Sequence, residues 1–406
     1  MGEMYTPYGF RDRLFQEAAR QQELLERIQK IFRRYGYLEV KTPTAEYLKV
    51  YDEERGSIAP ADMYKFVDRD GELLVLRPDL TPAAARVATT YLTEEDLPCR
   101  ISMTGSTFRY NSRYSAKERE LAQTGIELIG EDSVLADAEA AEIAIQALRA
   151  VGLSEFKIAI GHARLVERIL ERFPEKARPE LRECVVSKNF PALYQKLPEG
   201  EPEAGLRELV ELTARTGGIE LVSQGYECSR RLGLTQISDI FERLLEVHRR
   251  LEEAGMAEEL VYDLGMTVDL HYYTGIVFQG YTDGTGDCVL DGGRYDDLLC
   301  QFSRDWPAVG LGINMNSLLS AMGRQGILPE GPKQVYLAGT GEDLTLKAAR
   351  ILREQGEDVV LLQGKDRESF EALSRNRESC RLGLWLDPSE DPELGSCLEE
   401  RLKEVL

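Results

Sequence analysis

The stretch "FRYNSRYSAKERELAQTGIELIG", from Phe108 to Gly130, decides the fold of this chain. A charged loop separates two runs with the composition of β-strands, which indicates a hairpin. On the second run Gln123 and Glu127 are four residues apart, so both side chains project from one face of the sheet. A donor and an acceptor on one face suit a ligand with an ammonium or imidazole group. A solvated hairpin with a polar outer face fits the same spacing, so the spacing alone leaves both hypotheses open.

The residues before this hairpin predict two helices and a second hairpin. Residues 13–35 repeat apolar side chains at helical spacing, and Gly36 ends that helix. The run "YLEVKTP" predicts a strand that ends at Pro43. The run "MYKFVDRDGELLVLRPD" predicts a hairpin that turns at residues 69–71, and a helix follows from Pro82.

The residues after the hairpin predict a helix, a strand and then a long helical region. The helix is "LADAEAAEIAIQALRAVGL" and the strand is "FKIAIG". Residues from about 172 to 255 are helical and polar, and strands return at 261–281 and 287–291. In "PAVGLGINMNSLLSAM" a glycine-rich strand then leads into a helix.

These patterns predict an α+β chain with two domains. The larger domain covers residues 1–325 and has an antiparallel sheet flanked by helices, with a helical insertion at about 172–255. The run "GILPEGP" marks a boundary because of its glycine and proline content. Strands and helices alternate over residues 331–406, which predicts a small α/β domain. We find no P-loop and no G-x-G-x-x-G motif after a strand, so neither nucleotide fold is indicated.

Composition limits the classes of function. The 406 residues carry 50 basic and 71 acidic side chains, a net charge of −21, without a dense basic stripe. Phosphate binding depends on Lys and Arg, so this balance lowers the odds of a nucleic-acid partner. No apolar run is long enough to predict a membrane span. The seven cysteines are scattered and the histidines number three, so we expect reduced thiols, a cytoplasmic location and neither a metal nor a cofactor.

Five segments, in order, resemble class II aminoacyl-tRNA synthetases in their histidyl form, over about residues 5–325. The hairpin resembles motif 2 of those enzymes, and "YLEVKTP" resembles motif 1, with Pro43 at a dimer seam. The runs "LHYYTGIVF" and "GGRYD" resemble the two histidyl signature segments, and "LRPDLT" resembles the "RPEGT" segment of the family. The resemblance therefore implies a class II synthetase-like fold and a homodimer formed through the motif 1 region.

The resemblance also implies an intact histidine pocket. Asp79, Thr81 and Gln123 fall where that family holds the ammonium group of histidine. Glu127 and Tyr273 fall where it holds the imidazole ring, and Tyr272 lies beside them. Buried carboxylates are unfavourable unless they are paired, and a cationic ligand would pair them.

The ATP half of the family pattern is incomplete. The arginine that precedes the tyrosine pair corresponds to Val268, the acid of that segment to His271, and the acid of motif 2 to Asn111. Motif 3 of the family has Gly-x-Glu-Arg, and residues 314–317 are Asn-Met-Asn-Ser. Loss of a single electrostatic donor of this kind commonly costs about 10²–10³ in rate. We therefore expect no adenylation, although Arg109, Arg113 and Arg294 remain as candidate anion-binding residues.

A histidine pocket on a synthetase scaffold without its ATP residues is similar to one further family, the regulatory subunits of ATP phosphoribosyltransferase. This resemblance implies assembly with a short-form catalytic subunit, feedback by L-histidine as effector, and no tRNA partner. One alternative is a functional histidine–tRNA ligase. Another is a synthetase paralogue with a different amino acid or partner.

Overall fold

The computed structural model describes residues 5–51, 58–110, 118–197, 203–266, 272–362, 366–387, 389–390 and 397–405. The chain divides into two compact units. The first consists of Met1–Asp12 and Leu24–Leu328, and the second of Arg13–Glu23 and Pro329–Leu406.

Within the described residues there are fifteen strands and thirteen α-helices. The strands are β1 (Leu38–Glu39), β2 (Ala45–Tyr47), β3 (Lys65–Val67), β4 (Leu73–Leu76), β5 (Cys99–Phe108), β6 (Glu120–Ile129), β7 (Phe156–His162), β8 (Thr216–Gly217), β9 (Leu260–Asp263), β10 (Ile276–Thr282), β11 (Leu290–Arg294), β12 (Ala308–Asn314), β13 (Gln334–Gly339), β14 (Val359–Leu361) and β15 (Cys380–Leu386). The helices are α1 (Phe15–Arg34), α2 (Thr81–Tyr91), α3 (Val134–Ala150), α4 (Leu165–Leu170), α5 (Arg178–Val186), α6 (Phe190–Lys196), α7 (Glu203–Thr213), α8 (Ile219–Arg231), α9 (Thr235–Glu253), α10 (Met315–Gln325), α11 (Glu342–Glu354), α12 (Arg367–Asn376) and α13 (Leu398–Val405).

A nine-stranded sheet organises the first unit, in the order β1-β5-β6-β12-β11-β10-β7-β9-β8. The predicted hairpin is confirmed: β5 and β6 pair antiparallel over ten positions, from Cys99 opposite Ile129 to Phe108 opposite Glu120. The five pairs from β5 to β7 are all antiparallel, as expected. The sheet is nevertheless mixed, because β1 runs parallel to β5 and β7 runs parallel to β9.

Helix α3 packs against the back of this sheet through small side chains. Ser133 caps the helix by accepting a hydrogen bond from the backbone N–H of Ala136. Ala140, Ala141 and Ala144 of this helix are fully buried. Because an alanine-lined face lets backbones approach closely, strands and helix share one core. That core fixes the sheet and leaves its opposite face for other contacts.

The helical insertion occupies the chain between β7 and β9. It contains α4 to α9 and the short strand β8, which pairs with β9. A smaller antiparallel sheet, ordered β2-β4-β3, precedes α2 in the first unit. It contains the hairpin predicted at residues 69–71.

The second unit is a small α/β module built on the parallel sheet β14-β13-β15. Its alternating strands and helices follow the sequence pattern. The unit also includes Arg13–Glu23, which contains the start of helix α1, and the sequence did not predict this. Arg20 donates through Nε to the carbonyl of Pro329 at 3.1 Å and forms an ion pair with Glu378. These are tertiary contacts, and hydrophobic periodicity carries no information about them.

Among the residues that the structure describes, no helix has both the length and the apolar character needed to cross a membrane. The same ranges contain no group of three or more His, Cys, Asp or Glu side chains arranged to hold a metal ion.

Candidate functional site

One face of the large sheet is lined by glycines beside two polar side chains. Gln123 and Glu127 lie on this face of β6, as their spacing predicts, and β12 places Gly310 opposite Glu127. A Cβ atom at Gly310 would lie 1.8 Å from Oε2 of Glu127. One at Gly312 would lie 2.3 Å from Nε2 of Gln123. The missing side chains on β12 therefore leave the space that Gln123 and Glu127 occupy.

A cavity of about 160 Å³ opens on this face. It is smaller than the pockets that hold drug-sized ligands, so it suits a small metabolite. It brings together seven residues predicted from the sequence, namely Asp79, Thr81, Arg109, Gln123, Glu127, Tyr272 and Tyr273. The lining residues that the sequence did not predict are Gln279, Cys288, Asp291, Tyr295, Gly310, Leu311 and Gly312.

Glu127 is a buried acid of the cavity and is only 2% exposed. Thr81 donates from Oγ1 to its Oε1 at 2.7 Å, and the hydroxyl of Tyr295 donates to its Oε2. Burial raises the pKa of Glu127 to about 8, and the two hydroxyl donors offset only part of that rise. The negative charges of Asp79 and Asp291 raise it further. A cation placed against Glu127 would relieve this penalty.

Asp79 provides the second buried carboxylate, also 2% exposed. Its Oδ1 accepts the backbone N–H of Thr81 at 3.2 Å, where α2 begins. Unpaired N–H groups in the first turn of a helix favour a negative charge there. The hydroxyl of Tyr272 donates to Oδ2 at 3.2 Å, and Tyr51 donates to the Asp79 carbonyl at 2.9 Å. These contacts hold the carboxylate in one orientation.

Three tyrosines form a wall of the cavity. The rings of Tyr272 and Tyr273 are 4.8 Å apart, and Tyr295 meets Tyr272 edge to face at 5.6 Å. Burial raises the pKa of all three hydroxyls well above the ordinary value, so each remains a neutral donor. The sequence did not predict Tyr295, which belongs to the segment "GGRYD". The signal for it was its position directly after Arg294 in that segment.

Two of the three candidate anion-binding arginines are among the described residues, and they differ in where they lie. Arg109 lines the cavity, and its Nε donates to the carbonyl of Pro78 at 3.0 Å. Arg294 is not among the lining residues. It is 2% exposed and pairs with Asp137 and Asp296, so the expectation that it binds an external anion gains no support. Arg113 lies outside the described residues, as do Asn111, Val268 and His271.

Residues 314–317, which the sequence resemblance assigns to motif 3, make local structural contacts. Asn314 caps α10, because its Oδ1 accepts the backbone N–H groups of Asn316 and Ser317. The Oδ1 of Asn316 in turn accepts the N–H of Ala122 at 3.0 Å. Its Nδ2 donates to the side chain of Glu118. Residues 314–317 thus cap α10 and form hydrogen bonds to the start of β6. They include no Lys or Arg.

Comparison with known proteins identifies the family of folds to which this architecture belongs. The family model for histidyl-tRNA synthetase matches residues 9–318. A crystal structure from Bacillus halodurans, described as an ATP phosphoribosyltransferase regulatory subunit/histidyl-tRNA synthetase, superposes with a TM-score of 0.79. The two are 28% identical, and the match covers 95% of this chain and 99% of that one. Histidyl-tRNA synthetase from Nostoc also gives 0.79 at 21% identity, which shows the fold alone.

The fold is therefore that of a histidyl-type class II aminoacyl-tRNA synthetase. Curated relatives narrow the assignment further. The ATP phosphoribosyltransferase regulatory subunit of Moorella thermoacetica is 36% identical over 92% of this chain and 95% of its own length. That of Clostridium kluyveri is 34% identical over 87% and 91%. The chain belongs to the ATP phosphoribosyltransferase regulatory subunit family.

Proposed function

We propose that this chain is the non-catalytic regulatory subunit of ATP phosphoribosyltransferase, acting at the first step of histidine biosynthesis with a short-form catalytic subunit. The names of its relatives support this role. One observation carries the proposal. The cavity has two buried carboxylates, Asp79 and Glu127, while Asn314 caps a helix in the segment where the sequence resemblance expects an arginine.

We propose further that L-histidine occupies the cavity. Its ammonium group would lie against Asp79, Thr81 and Gln123, and its imidazole against Glu127 and Tyr273. Each end of the ligand then meets a buried acid, and among the described lining residues Arg109 is the cation that would face its carboxylate. A site built around buried hydrogen-bonding groups rejects ligands that leave them unpaired. The small volume and the rigid tyrosine wall add a limit on size.

Histidine would act here as an effector and not as a substrate. It would favour an arrangement of the assembled complex in which the catalytic subunit is less active. A ligand shifts such an equilibrium only through its different affinity for the two states. The cavity must therefore differ between those states.

The competing function is a histidine–tRNA ligase. We expect no histidine-dependent exchange of pyrophosphate into ATP above background, because two cationic donors of the family pattern are absent, and loss of one such donor already costs about 10²–10³ in rate. The assay is ATP–pyrophosphate exchange, with an active histidyl-tRNA synthetase as positive control. Robust exchange by this chain would overturn its non-catalytic assignment.

The remaining partner proposals come from the motif 1 region and the charge. We propose a homodimer that uses the edge of the large sheet, where β1 is the terminal strand and Leu38 is 74% exposed. An exposed apolar edge strand is a ready surface for pairing. The net charge of −21 supports the absence of a tRNA partner. The seven free cysteines support a cytoplasmic location.

A further inference from the structure

A buried ion-pair cluster outside the cavity is centred on Asp137 of α3, whose side chain is fully buried. Arg294, the last residue of β11, approaches its Oδ1 with Nε at 2.8 Å. Arg243 of α9 approaches its Oδ2 with Nε at 2.6 Å and reaches Asp132 with Nη2 at 3.0 Å. The single carboxylate of Asp137 therefore joins the helical insertion to a strand of the large sheet.

This cluster reaches the cavity wall through the backbone on both sides of Arg294. The next residue, Tyr295, donates its hydroxyl to Glu127. The carbonyl of Arg294 accepts the backbone N–H groups of Thr274 at 2.8 Å and Gly275 at 3.3 Å. Thr274 directly follows Tyr273 in the chain. Tyr295 therefore directly follows Arg294, and Tyr273 directly precedes a residue that is hydrogen-bonded to the carbonyl of Arg294.

The packing around Arg294 leaves little room for independent movement. A Cβ at Gly275 would lie 3.0 Å from the side chain of Arg294. A Cβ at Gly293 would lie 2.4 Å from the carbonyl oxygen of Ile276 and 3.0 Å from the ring of Tyr273. Closely packed interiors transmit displacements because they do not absorb them. A shift of Arg294 would therefore move the tyrosine wall.

We propose that Arg243 is a positioning residue through which helix α9 sets the ligand affinity of the cavity. The path runs from Arg243 to Asp137, then to Arg294, and then to Tyr273 and Tyr295. The inference rests on the proposed binding of histidine in the cavity. If docking of α9 changes affinity, occupation of the cavity biases α9 to the same extent, because binding linkage is reciprocal. The insertion would then sense the ligand without touching it.

The test compares two arginines of the same helix. Arg249 pairs with Glu246 and Glu253 on the surface of α9 and does not contact the cluster. We expect Arg243→Ala to weaken histidine binding about 3- to 20-fold by calorimetry, the range typical of coupling residues. Arg249→Ala should remain within about twofold, as an exposed pair contributes little. Arg243→Lys should recover only part of the loss, because an ammonium lacks the planar fork that reaches two carboxylates.

Hydrogen exchange separates positioning from a general loss of stability. In Arg243→Ala, peptides covering residues 272–276 and 293–296 should exchange faster, while those covering β5 and β6 keep their rates. Equal behaviour of the Arg243 and Arg249 variants in both measurements would overturn the inference, and so would uniform acceleration across the sheet. If the unmodified chain fails to bind histidine, the proposed binding of histidine in the cavity fails. Hydrogen exchange of the peptides covering residues 272–276 and 293–296 in Arg243→Ala then tests, by itself, whether α9 is coupled to the tyrosine wall.

Discussion

Glu127→Gln is expected to weaken histidine binding by about 10- to 100-fold at pH 8, the loss typical of a hydrogen bond to a charged partner. The amide keeps the shape of the side chain but cannot hold the charge that pairs with an imidazolium. Calorimetric titration measures the effect. Glu120→Gln is the matched control, since Glu120 begins the same strand but does not line the cavity. An unchanged affinity in the Glu127 variant would place the effector site elsewhere.

The same variant should change how binding depends on pH. The free Glu127 has a pKa of about 8, and an imidazole has one of about 6.5. In the complex we expect the Glu127 carboxylate and the imidazole of the ligand to share one proton. Below about pH 6.5 both free partners carry a proton, so binding releases one and weakens as the pH falls. Above about pH 8 neither free partner carries a proton, so binding takes up one proton and the affinity falls as the pH rises. Affinity should therefore peak between these values.

The stability of the unliganded protein provides an independent readout. Because the pKa of Glu127 is raised from its ordinary 4.5, its contribution to stability is present below about pH 4.5 and is lost as the pH rises through 8. Relative to Glu127→Gln, the free energy of unfolding of the unmodified chain should fall across this window by a few kcal/mol. The variant should also lack the alkaline decline in affinity. Parallel profiles for both proteins would contradict the assignment of this titration to Glu127.

Gly310→Ala is expected to abolish measurable histidine binding and to lower the free energy of unfolding. The new methyl would lie 1.8 Å from Oε2 of Glu127 and 2.5 Å from the backbone oxygen of Ile126. The carboxylate and the strand must both shift, and overpacking of this kind costs about 1–3 kcal/mol or more. Thermal denaturation and calorimetry measure the two effects.

Gly286→Ala is the matched control for that substitution. A Cβ at Gly286 would meet no atom within 4 Å, and its backbone needs no left-handed conformation. Its stability and histidine affinity should therefore equal those of the unmodified chain. If Gly310→Ala bound histidine as tightly as this control, the cavity described here would not be the binding site.

The sequence predicted the parts of the fold that depend on local pattern. The β5–β6 hairpin, the alanine-rich α3 and the small α/β module each have a periodicity that identifies them. The shared sheet face of Gln123 and Glu127 followed from their spacing on one strand, and their binding role followed from the family resemblance. Asp79 followed only from the resemblance to a family, because α2 brings it to Glu127 from a distant part of the chain.

What the sequence did not predict depends on contacts between distant residues. Arg294 was considered a candidate anion-binding residue because nothing in its own segment shows that Asp137, on another element, lies against it. The hydrogen bond between Tyr295 and Glu127 on β6 likewise joins segments that are distant in the sequence. The inclusion of Arg13–Glu23 in the second unit likewise depends on tertiary contacts.

The most direct test of the central claim is reconstitution with a short-form catalytic phosphoribosyltransferase chain. The two purified chains are mixed and passed through a sizing column, and phosphoribosyl transfer to ATP is measured with and without histidine. We predict co-elution, a gain in activity over the catalytic chain alone, and inhibition by histidine that Glu127→Gln reduces without preventing assembly. Failure to co-elute, together with unchanged activity of the catalytic chain, would contradict the account.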